Sequence, residues 1–340
     1  MEIIDSSCHF LPPGYYKQAE KYGLKIPYML SRAYSIPTMS DPARRNAQIA
    51  SFESMRQIPS LVSPYPDDYA PQEQAAALSR FVNEEFARLV TDNPALYAGF
   101  VATVPWLYSD DACRELEYAV KTLKAPGVQI GTPIRGMSIS ATQFQEIFDT
   151  AAKLGVAVWL HPTMNMFRHD YETEEASYYE IWWSLGVPYE SSAAMVRLAY
   201  SGLFERNPKL VVLTHHAGGV IPYLEGRFKI GTRNIGSRTP EEYQYLVKHS
   251  LSRPIADVLA GYYADTATLG SGRAIEHAME FFSPSHVLFG TDTPFGAREG
   301  SAYIEQAIET VSRLNCSERE KYDIFCGNAK RLFGVVAQQN

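Results

Sequence analysis

Five residues of this chain have side chains that bind metals or move protons, and each stands just after a short apolar run. His9 follows Ile3-Ile4, His161 follows VAVWL, His215 and His216 follow VVLT, and Asp292 follows VLFGT. Neutral imidazole nitrogens and a carboxylate oxygen are the donors that a borderline divalent cation prefers, with an open position left for water or substrate. A further imidazole beside such a cation can act as general acid or base, because it titrates near neutral pH. One histidine after a strand is ordinarily a surface or satisfied core residue; four strand ends that deliver His, His, His and Asp point to one shared site. Neighbouring residues at a strand end face opposite ways, so one of His215 and His216 is expected to face the pocket. His169, His249, His277 and His286 fall in a loop, in helices or before a strand, and are expected to be solvated or structural. Cys8 is turned away from His9 by strand alternation and reads as a buried thiol.

For these residues to meet, the elements before them must open on one face. Eight apolar stretches read as strands: 2–5, 58–63, 98–104, 126–131, 155–160, 209–214, 261–266 and 286–290. Several are apolar almost throughout, as expected of strands buried on both faces. Helical patterns alternate with them at 71–92, 109–123, 140–154, 192–206, 217–229, 240–251, 271–282, 300–314 and 317–333. In the first of these, Ala75, Leu78, Phe81, Val82, Phe86 and Leu89 form an amphipathic stripe. In the second, Ser109, Asp110 and Asp111 supply a cap and an acidic first turn. Alternating strands and helices of this number predict a (β/α)8 TIM barrel, whose C-terminal strand ends collect active-site residues. A barrel accounts for residues 1–340 as a single domain. Two stretches exceed the repeat: a long excursion after strand 1 (residues 11–57) and an aromatic-rich insertion after strand 5 (residues 162–191). Such loops form a pocket, a lid or a subunit contact.

Bulk composition narrows the partners. The chain has 340 residues, 46% of them hydrophobic, and a formal net charge of −7. Without a Lys/Arg run or a basic face, nucleic acid is not expected as a partner. No apolar run approaches the roughly 20 residues that span a bilayer, and no signal-peptide pattern opens the sequence, so no membrane association is expected. Cys8, Cys113, Cys316 and Cys326 show no CxxC and no framework spacing, which fits free thiols in a reducing cytoplasm.

The order of several segments resembles the amidohydrolase superfamily, in the branch typified by aminocarboxymuconate-semialdehyde decarboxylase and related aromatic-acid decarboxylases. The segments are IIDSSCHFLPP, AGFVATVPW, GVQIGTPIRG, GVAVWLHPT, RLAYSGLFERNPKLVVLTHHAGGVIPYLEGRF, YYADTAT, VLFGTDTPFG and GNAKRLFG, spread over nearly the whole chain. The resemblance implies that His9, His161 and Asp292 are metal ligands, and that His216 is a catalytic histidine working with Asp292. The first histidine of the family's HxH pattern falls on Ser7, whose hydroxyl is a poor ligand for a divalent metal. GVQIGTP lacks the bridging residue of dinuclear relatives, so one metal ion is implied, Zn²⁺ by default with Mn²⁺ tolerated by the same donors.

The implied activity is a metal-dependent, non-oxidative decarboxylation of a small aromatic or unsaturated carboxylic acid, by a carboxy-lyase. A hydrolase or hydratase acting on an amide, lactone or unsaturated acid is the alternative on the same scaffold, and a metal-free binding protein is a third reading. Relatives place a carboxylate-binding arginine in the region after strand 1, which makes Arg44, Arg45 and Arg56 candidates, Arg45 and Arg56 foremost. The cluster Tyr178, Tyr179, Trp182 and Trp183 offers an aromatic wall, with Trp183 as the candidate contact, and equally reads as core or interface packing. Family habit and this insertion together imply a homodimer.

Overall fold

The computed structural model describes residues 1–24, 31, 34–163, 168–249 and 251–334. Parts of the excursion (25–30, 32–33), part of the insertion (164–167), Ser250 in the expected 240–251 helix and the tail 335–340 lie outside the described residues. Eight parallel strands follow one another: β1 (Ile3–His9), β2 (Met55–Ser60), β3 (Val101–Ala102), β4 (Gly127–Thr132), β5 (Ala157–Pro162), β6 (Val212–Thr214), β7 (Tyr263–Asp265) and β8 (Val287–Leu288). β1 pairs with β2, and β3 to β8 form a continuous six-stranded sheet in chain order.

Two short bridges close the ring. Gln57 pairs with Tyr97 ahead of β3, and Cys8 pairs with Thr293 just past β8. Backbone hydrogen bonds reinforce both seams: Gln57 N donates to Leu96 O (2.9 Å), Ser6 N to Phe289 O (2.9 Å) and His9 N to Thr293 O (2.8 Å). The result is the (β/α)8 barrel expected from the sequence. Its strand boundaries differ from expectation at both ends of β1 and β2. β1 runs on through Asp-Ser-Ser-Cys to His9, and β2 starts three residues early at Met55, because the polar side chains there find partners inside the fold.

β1 carries one irregularity. Asp5 pairs with Gln57 and Cys8 with Pro59, so β1 has one residue more than β2 between these pairs. Paired residues of parallel strands face the same side, so Ile4 faces inward with Arg56 and His9 faces inward with Ser60. A regular strand could not turn residues 4 and 9 to one face; the bulge does so.

Inside the barrel, Ile4, Ile58, Val101, Trp159, Leu213 and Leu288 fill the N-terminal half. Trp159 closes it: its Nε1 donates to Ser6 O (2.8 Å) and its ring stacks on Phe333 at 4.7 Å. Outside, Val128 and Ile130 of β4 and Val158 and Leu160 of β5 pack against apolar helix faces. The helices used below are α1 (Tyr15–Lys21), α2 (Pro42–Ala50), α3 (Gln72–Asp92), α4 (Ser109–Lys121), α5 (Gln145–Leu154), α6 (Val187–Tyr200), α7 (Gly272–Phe282), α8 (Ser301–Ser312) and α9 (Asn328–Phe333). α3, α4, α5, α7 and α8 sit close to where the hydrophobic period puts them.

Other helical expectations fail. Residues 217–229 do not form one helix, since His216, Ala217, Gly218 and Gly219 all have left-handed φ and force turns after β6. The 240–251 stretch is a 3-10 helix over Glu241–Val247, whereas the helix expected at 317–333 is present from Glu318 to Phe333, with one π-helical turn at Asp323–Gly327. No helix among the described residues is long and apolar enough to cross a membrane.

Buried acids also mark the fold. Asp67 lies in the short helix Pro66–Tyr69 after β2, where its Oδ2 accepts from Leu107 N at 3.0 Å. Burial, reinforced by the neighbouring Asp68 charge, pushes its carboxyl up to about 7. Native Asp67 therefore keeps a proton that the unfolded chain releases near 3.8, and stability should fall as pH rises between 3.8 and about 7. Asp67→Asn is expected to flatten part of that fall, raising the melting temperature by a few degrees at about pH 8 and little at about pH 4. Thermal denaturation at the two pH values checks this; an equal gain at both would refute it.

Candidate metal centre

The strand ends converge as the sequence analysis expects. His9 ends β1, His161 lies in β5, and Asp292 follows β8. One ligand atom from each of the three falls within 4.8 Å of the others. His9 Nε2 is 3.2 Å from Asp292 Oδ1, and the His9 and His161 rings meet edge to face at 4.7 Å. His9 is fixed from behind by Ser60 Oγ, 3.1 Å from its Nδ1. His9 Nε2 and His161 Nδ1 are buried without a directed hydrogen bond among the described residues. Two such orphaned nitrogens facing a carboxylate would cost stability in an empty core, and they suit a divalent cation of His-His-Asp coordination. The residues present thus fit the metal.

Asp292 is held in place by backbone. Its N–H donates to Ser7 O at 2.8 Å, and its φ of 61° is left-handed, a conformation that costs a non-glycine residue about 1–3 kcal/mol. Below it, Asp5 ties β1 to β8 and β2. Asp5 accepts from Thr291 N (3.1 Å), Thr291 Oγ1 (2.7 Å), Ser7 N (3.3 Å) and Gln57 Nε2 (3.1 Å). Arg45 extends the chain, donating from Nε to Gln57 Oε1 at 2.8 Å.

Charges in the centre divide by environment. Burial works against ionised Asp292, but His216 and His9 outweigh it and hold the carboxyl well below the usual carboxylate range. Burial pushes His9 and His161 down, toward the neutral ring that a ligand must present. Burial also opposes protonation of His216, yet the Asp292 carboxylate, 3.7 Å from its Nε2, prevails and its pKa is raised.

Ser7 faces the same interior, with an orphaned Oγ. A Cβ at Gly290 would come within 2.7 Å of Ser7 Cβ and 2.9 Å of Asp265 Cβ, so glycine is what lets β8 pass these side chains. A Cβ at Gly131, the β4 partner of His161, would meet the Tyr65 ring at 2.4 Å. Tyr65 therefore walls the interior beside His161, a contact the sequence analysis missed.

Other expected site residues lie elsewhere. Arg45 is wholly buried on α2 behind β1 and β2, so its candidate role as a substrate contact is corrected to that of a structural cation. Arg56 faces the N-terminal end of the barrel and pairs with Glu2 at 2.5 Å. It precedes Ser60 by four residues, roughly 13 Å of strand, so it too is displaced from the substrate face. Trp183 is half exposed in the turn entering α6, whose Glu190 accepts from Thr132 Oγ1 at the end of β4 (3.3 Å).

The expectation that only one of His215 and His216 faces the pocket also fails. His216 reaches Asp292, while fully buried His215 packs at 4.8 Å from the His161 ring and 6.0 Å from the His9 ring. The left-handed turn starting at His216 (φ 57°) breaks the strand alternation on which that expectation rested. As expected, His169, His249 and His277 are exposed and His286 stacks on Tyr263 at 4.0 Å. Cys8 is a buried free thiol.

Comparison with known proteins finds decarboxylases similar along nearly the whole chain. The chain is 25% identical over 354 residues to a 2-amino-3-carboxymuconate-6-semialdehyde decarboxylase of Dictyostelium discoideum, covering 98% of this chain and 91% of that protein. It is 27% identical over 340 residues to a 6-methylsalicylic acid decarboxylase of Penicillium expansum, covering 98% and 96%. A solved dihydroxybenzoic acid decarboxylase from Polaromonas sp. JS666, with bound manganese and the inhibitor 2-nitroresorcinol, superposes with a TM-score of 0.76 at 22% identity, covering 98% of this chain and 97% of that one. Residues 4–335 match the profile of the Amidohydrolase family, and the chain belongs to that family.

Proposed function

We propose that this protein is a divalent-metal-dependent, non-oxidative decarboxylase of a small aromatic or unsaturated carboxylic acid. The observation that carries the reading is the meeting of His9, His161 and Asp292 within 4.8 Å, with His216 against the Asp292 carboxylate. The decarboxylases of Dictyostelium and Penicillium, similar along nearly their full length, support the reaction class.

A cation held by His9, His161 and Asp292 would supply Lewis acidity to the oxygens of a substrate carboxylate and its neighbouring hydroxyl. His216, kept protonated by Asp292, is the group that gives a proton to the ring carbon bearing the carboxylate. A C–H bond forms there, the C–CO₂ bond breaks, and its electron pair returns to the ring as CO₂ leaves. Asp292, ionised throughout, holds the His216 imidazole in place for the transfer. Tyr65 and Phe295, whose ring is 5.7 Å from that of His9, exclude water from one side. Trp183 is the candidate for the entrance.

Two imidazoles and a carboxylate suit Zn²⁺, and the manganese in the Polaromonas enzyme supports Mn²⁺ for the same donors. The decisive assay is CO₂ release from 6-methylsalicylate, dihydroxybenzoates and an unsaturated amino-carboxy acid, with Zn²⁺ or Mn²⁺ supplied. Release from at least one, abolished by chelator, is expected. Amide or lactone hydrolysis, or water addition, with no CO₂ from any acid would overturn the reading.

The four free cysteines support a cytoplasmic location. Exposed Leu185 (67%), Tyr223 (81%) and Ile230 (67%), with Trp183 and Tyr189 on the insertion, support a homodimer. Sedimentation velocity should show a dimer that Leu185→Glu with Tyr223→Glu shifts to monomer; a wild-type monomer would refute it.

A further inference from the structure

A histidine that ligates a metal generally donates its second ring N–H to a carboxylate, carbonyl or water, which fixes the ring. His9 has such a support in Ser60. His161 leaves its buried Nδ1 for the cation, and its other ring nitrogen, Nε2, makes no hydrogen bond with a described residue. What touches its ring instead is His215, edge on at 4.8 Å with an interplanar angle of 79°. His215 also lies nearly parallel to His9 at 6.0 Å, and so fills the wedge between the two rings.

His215 is itself held. Its Nδ1 is 3.2 Å from Asp265 Oδ2, a close polar contact without the alignment of a hydrogen bond, and both side chains are fully buried. Asp265 cannot swing away, because its Oδ1 accepts from Ala267 N (3.0 Å) and Ala217 N (3.4 Å). These two N–H groups flank the ends of β7 and β6, so the carboxylate is clamped by the same strand ends that carry the site. Ser7 contributes space. A short side chain at that position leaves room for Gly290 and Asp265 beside β1, since a Cβ built at Gly290 would lie 2.7 Å from Ser7 Cβ and 2.9 Å from Asp265 Cβ.

We propose that Asp265 is a positioning residue that acts on the metal centre at one remove: it orients His215, and His215 orients His161. The inference rests on the His9–His161–Asp292 reading of the centre. The Asp265 carboxylate fixes His215 as the Nδ1–H tautomer and sets its ring plane, and that plane holds the edge of His161 toward Asp292. The support that a ligating histidine takes directly in most sites passes here through a second imidazole, drawn from the residue after β6.

The test measures affinity for Mn²⁺ alone, from the electron paramagnetic resonance signal of the free ion, in wild type, Asp265→Asn, His215→Phe and the double variant. His215→Phe keeps the wedge and removes its link to Asp265. Each single change should weaken binding about tenfold or more, and the double variant should bind no more weakly than the poorer single, since both cut one chain. Losses that multiply in the double variant, or no loss, would overturn the proposal. If Asp265→Asn does not fold, ¹⁵N spectra of the metal-free wild type decide: a single Nδ1–H tautomer at His215 is expected, and a mixture overturns it. Asp292→Ala separates this inference from the metal reading. Wild-type binding that Asp292→Ala abolishes, with additive losses at Asp265 and His215, sinks only the relay, whereas no binding by wild type sinks both.

Discussion

Asp292→Ala is expected to remove bound metal and decarboxylation together, while His216→Ala keeps the metal and loses the reaction. Asp292 is one of the three donors and also the partner of His216, so its loss removes the Lewis acid and the hold on the proton donor. Metal assistance is worth several kcal/mol of transition-state stabilisation, so at least a ~1,000-fold fall in kcat/KM is expected for Asp292→Ala. His216 contributes its nitrogen at 3.7 Å from Asp292 Oδ2 and stands outside the donor triad. Its removal should cost about 100- to 10,000-fold, the range of a positioned general acid. Metal content by plasma mass spectrometry beside CO₂ release reads both variants. Retained metal in Asp292→Ala with lost metal in His216→Ala would reverse the two roles.

Arg45→Met should damage folding rather than substrate binding. Arg45 is wholly buried and its Nε donates to Gln57, which in turn donates to Asp5. Burial pushes the Asp5 carboxyl up to about 7 even with hydrogen bonds from Thr291 and the charge of Arg45 pulling it down. Removing Arg45 leaves an acceptor on Gln57 unpaired and takes a balancing charge from the buried Asp5, a loss of about 1–3 kcal/mol for an unsatisfied buried group. For a chain of this size the melting temperature should drop by roughly 2–5 °C. A KM increase with an unchanged melting temperature would instead return Arg45 to the substrate site. Arg44, one residue away, pairs with Glu299 at the surface, and its loss should leave the melting temperature nearly unchanged.

The contrast between these neighbours shows where sequence reading reaches its limit. The barrel and the four strand ends were legible because apolar runs followed by His or Asp mark buried strands and the face on which they open. Arg45 was not, because a long region without sustained period hides which helix face turns inward. In α2 the inward set is Arg45, Gln48 and Ile49, and two of these three are polar. His215 was hidden by a sound rule, strand alternation, which the left-handed turn at His216 breaks. Asp265 stood in YYADTAT with no sign of its partner, since the contact joins β7 to the end of β6 in space alone. The helix expected at 217–229 had the right apolar spacing but the wrong backbone. His216-Ala217-Gly218-Gly219 are all left-handed, and that is the bend that brings His216 toward Asp292.

The extra residue in β1 also decides which element binds the metal at the first strand end. Pairing that continued from Asp5–Gln57 without the bulge would set Cys8, not His9, opposite Ser60 and turn sulfur toward the centre. A thiolate there would favour softer ions and expose the centre to oxidation. The identity of the donor is therefore stored in strand register rather than in composition, and a one-residue slip in β1 would exchange one coordination chemistry for another without changing a single amino acid.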